Sequence, residues 1–184
     1  GNVYGGSAFG AVNAKKGDGY DAETNPTDID TTPGDKTTKV NIYKGTVDGS
    51  VFGGGLGQTS PSSIAAQNYG NTFVTVENSN NAEALVNTAV YGGANVNGVM
   101  KADATVTILG GTVGTYPTGE VGVNSITNVV FGGGLGQPTL VNGNVTVNIG
   151  REKTGEEAAH FGNATINGHV YGGSALGCVN ASKS

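Results

Sequence analysis

Val3-Tyr4-Gly5-Gly6, Val51-Phe52-Gly53-Gly54, Val90-Tyr91-Gly92-Gly93, Val130-Phe131-Gly132-Gly133 and Val170-Tyr171-Gly172-Gly173 are one phrase written five times. Its rings stand 48, 39, 40 and 40 residues apart. A near-constant period of that size marks a repeat architecture, in which each unit buries its apolar side against the next. The fold reading therefore starts from the period and not from local propensity.

Upstream of each phrase stands a short alternation of apolar and polar residues. It reads Val40-Asn41-Ile42, Val74-Thr75-Val76, Val106-Thr107-Ile108 and Val147-Asn148-Ile149. A period of two is a strand signal. A second apolar anchor lies five residues before the ring in each of four units: Val47, Val86, Ile126 and Ile166. The gap between the first strand and this anchor is not constant, running 5, 10, 18 and 17 residues. Fixed spacing predicts a frame that must stack. Variable spacing predicts insertions at 77–84, 109–124 and 150–164, bulging from one corner.

Helical repeats need strings of Ala, Leu, Glu and Lys, which are missing. Propeller blades need four strands each, and the pattern yields three short strands per unit. A sandwich gives no reason for the constant return of one phrase. The expectation is an all-β fold: a parallel β-solenoid (β-helix) of about four to five coils, each a ~40-residue repeat with inserted loops. Val40, Val74, Val106 and Val147 then form one buried column, flanked by Ile42, Val76, Ile108 and Ile149. Asn41, Thr75, Thr107 and Asn148 face outward. Tyr4, Phe52, Tyr91, Phe131 and Tyr171 stack as a ladder, each ring burying about 150–250 Å², or roughly 4–6 kcal/mol at most. The glycines after each ring predict positive φ or close backbone approach. The rings alternate Tyr, Phe, Tyr, Phe, Tyr, and Gly53 to Gln58 recurs letter for letter as Gly132 to Gln137. That implies a super-repeat of two units.

The chain of 184 residues, with 34 glycines and 12% charged residues, reads as one segment over 1–184. It opens inside a unit, which suggests a fragment of a longer repeat protein. Positions 14–38 break the pattern. Six of the fourteen acidic residues fall there, with Pro26 and Pro33, so this reads as an acidic inserted loop. A net charge of -5 without a basic run lacks the footprint for nucleic acid or anionic lipid. No apolar run is long enough to span a membrane. Cys178 is alone and reads as a small buried residue beside Leu176 and Val179.

Motifs for chemistry are sparse. No GGxGxD nonapeptide for calcium is present, and the glycine runs lack the Lys-Ser/Thr of a phosphate loop. Asp18, Asp21, Asp28 and Asp30 are weak candidates for one Ca²⁺, at spacings unlike an EF-hand, and a solvated loop is the preferred reading. His160 and His169 have no metal-ligand spacing around them. The strands carry only Asp48, with Lys44 nearby; Glu120, Glu156 and Glu157 sit in insertions. No pair of carboxylates suited to glycoside hydrolysis stands in the frame, and no cofactor is implied.

The V-[YF]-G-G-G phrases, the N-V-T-I strands and G-G-T-V together resemble repeats of very large secreted adhesin-like proteins of anaerobic, often gut-dwelling bacteria. The resemblance runs from Val3 to Asn180, outside the acidic loop. It implies a parallel β-solenoid displayed on the cell surface, and it carries no catalytic residues. The expected function is thus a non-enzymatic structural or adhesive module of an extracellular or cell-surface fibre. A carbohydrate-binding or polysaccharide-degrading β-helix and a self-assembling filament subunit are the alternatives. Expected partners are neighbouring repeats or copies end to end, and a host or microbial surface glycan or protein.

Overall fold

The computed structural model describes residues 1–19, 21, 23–25, 28–30, 32, 35–79, 82–115, 126–150 and 162–180. Among them there is no helix. Twenty strands build four parallel sheets and one antiparallel pair. The sheet with the longest strands contains β5 (Thr37–Ile42), β9 (Asn71–Val76), β13 (Ala104–Ile108) and β17 (Val145–Ile149). The next contains β6 (Gly45–Val47), β10 (Ala84–Val86), β14 (Thr112–Val113) and β18 (Thr165–Ile166). The ring-bearing sheet is β1 (Val3–Tyr4), β7 (Val51–Phe52), β11 (Ala89–Tyr91), β15 (Val129–Phe131) and β19 (Val170–Tyr171). The last holds β2 (Ala11–Val12), β8 (Ala66–Asn68), β12 (Gly98–Met100), β16 (Thr139–Val141) and β20 (Cys178–Val179). From β5 onward the chain visits the four sheets in the same order four times. Each strand pairs in parallel with its counterpart one row on. Between β2 and β5, β3 (Lys15–Lys16) and β4 (Ile29–Asp30) form the antiparallel pair.

Register makes the sequence columns real. Val40 lies opposite Val74, Val74 opposite Val106, and Val106 opposite Val147. Val40, Val74 and Val106 are buried, together with Val76 and Ile108, Val51, Val90 and Val130, and Val86 and Val113. These make one cluster at the centre, with Val147 packed on its end. β-Branched residues suit such columns because a side chain with one favoured χ1 loses little freedom on packing.

The structure departs from the sequence reading in the strand count, in the third anchor, in Cys178 and at the end of the columns, where Val147 is half-buried and Ile149 is 49% exposed. Each repeat has four strands, not three. The overlooked ones are β8, β12, β16 and β20, whose cores (Ala66/Asn68, Gly98/Met100, Thr139/Val141) mix small and polar residues and show no clear apolar alternation. The third anchor is Val113 and not Ile126. Val113 pairs with Val86 and Ile166 and is fully buried, whereas Ile126 is 44% exposed. Gly111-Thr112-Val113 repeats Gly45-Thr46-Val47, so the triplet carried the alignment that the five-residue spacing obscured. In that row the extra length falls after the anchor, where residues 116–125 lie outside the described set.

The five rings form one stack. Successive centroids are 5.1, 4.7, 5.4 and 4.7 Å apart, with interplanar angles of 10°, 4°, 2° and 13°. That spacing is about the 4.8 Å between paired strands, so backbone pairing dictates the ring separation. Phe52, Tyr91 and Phe131 are buried, flanked by half-buried Tyr4 and Tyr171. The Tyr91 hydroxyl donates to the Ile126 carbonyl at 2.9 Å, and burial pushes its phenol far above the usual range. The glycines behind the rings serve close approach. A Cβ on Gly53 or Gly92 would run into the carbonyl oxygen of Gly92 or Gly132, one row on.

One contact makes use of the alternation of the rings. Asn95, in the Tyr91 row, donates from Nδ2 to the Tyr4 hydroxyl at 2.9 Å, two rows away. Asn2 donates to the same oxygen at 3.1 Å. The Asn95 amide must therefore cross the intervening row, and Phe52, lacking a hydroxyl, leaves the passage open.

Four stability outcomes follow from this packing. Val130→Asp places an unpaired charge at a fully buried position and is expected to cost about 3–5 kcal/mol. Asn41→Asp, on an exposed position of the same frame, should stay within about 0.5 kcal/mol. Urea titration of the two variants measures both, and equal midpoints would refute the division into inward and outward files. Phe52→Tyr adds one oxygen in the path of the Asn95 amide and should destabilise by about 1–3 kcal/mol. Tyr91→Phe removes one hydrogen bond and should cost about 1 kcal/mol.

Candidate functional site

Strand alternation on the β5–β9–β13–β17 sheet sends every second side chain to solvent. The register assembles these into files. Lys39, Phe73, Thr105 and Thr146 form one, and Asn41, Thr75, Thr107 and Asn148 the next. Along a file, neighbours repeat at about 4.8 Å; across files, at about 6.6 Å. The result is a grid of hydroxyls and amides with one aromatic ring and one ammonium. Asn148 Nδ2 lies 3.4 Å from Thr107 Oγ1, to which it donates along the file. The grid presents neutral donors and acceptors at a fixed pitch. It contains no acid–base pair and no activated nucleophile. Such a file pattern offers hydrogen-bonding groups beside one apolar ring, that of Phe73.

The acidic candidates are engaged differently. Asp21 Oδ1 accepts from the Glu23 and Thr24 backbone at 2.9 and 2.7 Å. Asp30 Oδ1 accepts from the Thr32 backbone at 2.9 Å and its hydroxyl at 2.6 Å. Asp28 Oδ2 accepts from Gly19 N at 2.9 Å. Asp18 is exposed. The Thr24 backbone and the Thr32 hydroxyl hold the Asp21 and Asp30 carboxyls below the usual range. Three of the four carboxylates thus shape the loop's own turns. Among the described residues no group of three or more His, Cys, Asp or Glu stands close enough to hold a metal ion.

The other candidates are scattered. Asp48 accepts from Asn87 Nδ2 at 3.2 Å and forms a link between rows. The His169 ring is 6.0 Å from that of Tyr171, and its buried Nε2 has no hydrogen-bond partner. His160, Glu120, Glu156 and Glu157 lie outside the described residues, as do the other residues of 116–125 and 151–161.

Cys178 corrects a sequence expectation. It is exposed, because it belongs to the outward file of its sheet, in register with Leu140, Val99 and Gln67. Its neighbour Val179, opposite Val141, takes the inward position. Native protein should therefore react fully with a thiol reagent such as Ellman's reagent without added denaturant. Reaction that appears only on unfolding would contradict the assigned register.

No helix among the described residues is long and apolar enough to cross a membrane. Comparison with protein-family models, with curated proteins and with solved structures finds no match.

Proposed function

We propose that this chain is a parallel β-solenoid segment of about four to five coils, serving as a non-enzymatic structural and adhesive module of a secreted or cell-surface bacterial fibre. The observation that carries the reading is the unbroken parallel register through four sheets, with five rings stacked at 4.7–5.4 Å. A frame held by identical contacts in every row transmits load along its axis and leaves its sides free for contact. The resemblance to secreted adhesin-like repeat proteins points the same way.

A glycan is the partner that the sides fit best. The outward Thr and Asn files with Phe73 and Lys39 offer the mixture of hydrogen-bonding groups and apolar platform that sugars use. The surface is neutral for most of its extent, which suits an uncharged polymer better than a nucleic acid.

A glycan array run together with a reducing-sugar assay on the same polysaccharides tests both parts. The expected result is binding without sugar release, weakened at least tenfold by Phe73→Ala or Thr107→Arg at unchanged melting temperature. Sugar release abolished by Glu120→Gln or Glu156→Gln would overturn the non-enzymatic reading. Binding indifferent to both grid substitutions would remove the grid as the adhesive surface.

A further inference from the structure

The dipeptide Asn-Gly occurs three times, as Asn97-Gly98, Asn142-Gly143 and Asn167-Gly168. In this pair the asparagine side chain is open to attack by its own main chain. Glycine has no Cβ to hold its nitrogen away from the preceding residue's amide carbon. The letters make the three sites equal, but the fold does not. Asn97 is 5% exposed, and its Nδ2 donates to the Gln58 carbonyl and to Ser63 Oγ, both at 3.0 Å. Those two bonds fix the amide to the loop of the preceding row. Asn167 is half-buried, and its Nδ2 donates to Gly114 O at 2.8 Å, also one row back.

Asn142 is exposed, in the three-residue corner between β16 and β17. Its backbone N–H donates to Met100 O at 2.9 Å, while its side-chain amide has no partner among the described residues. Asn144 N, on the other side of the corner, donates to Asp103 Oδ1 at 2.7 Å. Between these two anchored peptides, the Gly143 N–H is without a partner among the described residues. This is a property of the corner and not of the row's place in the stack. The pairing of β12 with β16 and of β13 with β17 sets Ala102 opposite Gly143. Ala102 has a described row on either side, and its N–H is equally unpaired among the described residues. The corner thus combines an accessible, unengaged amide carbon with an unengaged main-chain nitrogen on the next residue. Gly143 itself is required there, since a Cβ would run into Asp103 Oδ1 and the Ala102 carbonyl carbon.

We infer that Asn142 is a self-modification site, which deamidates through a succinimide while Asn97 and Asn167 are protected by the fold. The Gly143 nitrogen loses its proton and attacks Asn142 Cγ. The N–Cγ bond forms, the Cγ–Nδ2 bond breaks, and Nδ2 leaves as ammonia with the proton. Water then opens the ring at either carbonyl. Cleavage of N–Cγ leaves an ordinary aspartate, and cleavage of the original peptide bond leaves an isoaspartate. Either product adds one carboxylate, taking the net charge from -5 to -6. Water is the only co-reactant, and the rate rises with pH because the attacking nitrogen must be deprotonated. The inference rests on hydrogen bonding at three corners and not on adhesion, so a negative glycan array leaves it standing.

The test incubates the full chain in mildly alkaline buffer made with oxygen-18 water, native and in concentrated urea. Peptide mapping by mass spectrometry then follows each of the three asparagines. In the native protein Asn142 should convert about tenfold faster than Asn97 or Asn167, with heavy oxygen in the product; in urea the three rates should converge. Ion-exchange chromatography of the aged native protein should show an acidic species that Asn142→Gln abolishes. Equal rates at the three sites in the native protein would overturn the inference. So would an Asn142 still intact when the unfolded chain has fully converted, or an acidic species that survives Asn142→Gln.

Discussion

Every feature of this molecule depends on parallel backbone pairing between one row and the next. Parallel strands cannot be joined by a tight turn, so each must wait for the chain to travel round before its partner arrives. Here the round trip passes through three other sheets, and all four are extended by each circuit. The row spacing is set by the hydrogen bonds, and every side-chain file inherits it. That is why the rings sit 4.7–5.4 Å apart with nearly parallel planes. An isolated aromatic pair has no such obligation and often prefers an edge-to-face arrangement.

A fixed pitch also limits what each file tolerates. Identical large groups stack well where they lie flat, as the rings do, or where they point inward, as the valines do. At the bend after the rings a Cβ on Gly55 or Gly134 of the Phe rows would strike the backbone oxygen of Ser7 or Ala94 in the preceding Tyr row. Bulk there alternates with glycine. The same alternation in the ring file lets an asparagine amide cross a phenylalanine to reach a tyrosine oxygen. The glycine alternation at the bend follows a period of two rows that is already visible in the letters, whereas the asparagine contact occurs once, because Ala175 stands in the place of Asn95 in the Tyr171 row.

Much of the frame was legible because its signals are periodic. The Val40, Val74, Val106 and Val147 column and the outward Asn41, Thr75, Thr107 and Asn148 file follow from strand alternation, and the register realises both. The fourth sheet was illegible for the opposite reason. Asn68 is buried there, its Nδ2 donating to Thr38 Oγ1 at 3.0 Å and its Oδ1 accepting from Gly70 N at 3.0 Å, so an inward position carries a polar residue. Hydrophobic pattern cannot find a strand whose inward side is satisfied by hydrogen bonds. Ile126 misled through spacing alone, since a five-residue interval says nothing about which strand the anchor joins. Cys178 was misplaced because its neighbours are apolar, while its side is fixed by the register of the row below. The outward grid could be read file by file, but its pitch needed the pairing of all four strands.

The alternation of rows has a consequence for how such a chain changes over generations. Loss of a Phe row would bring two Tyr rows together and set the Cβ of Ala94 or Ser174 against backbone at the bend, whereas loss of a Tyr row would set glycine beside glycine, as Gly55 beside Gly134. Loss or gain of two rows restores every contact. The heritable unit is then a pair of rows, the 79 residues that separate Gly53 from Gly132. Unequal recombination at that step keeps unlike rows adjacent throughout, whereas a step of one row is accommodated only where two glycine rows meet.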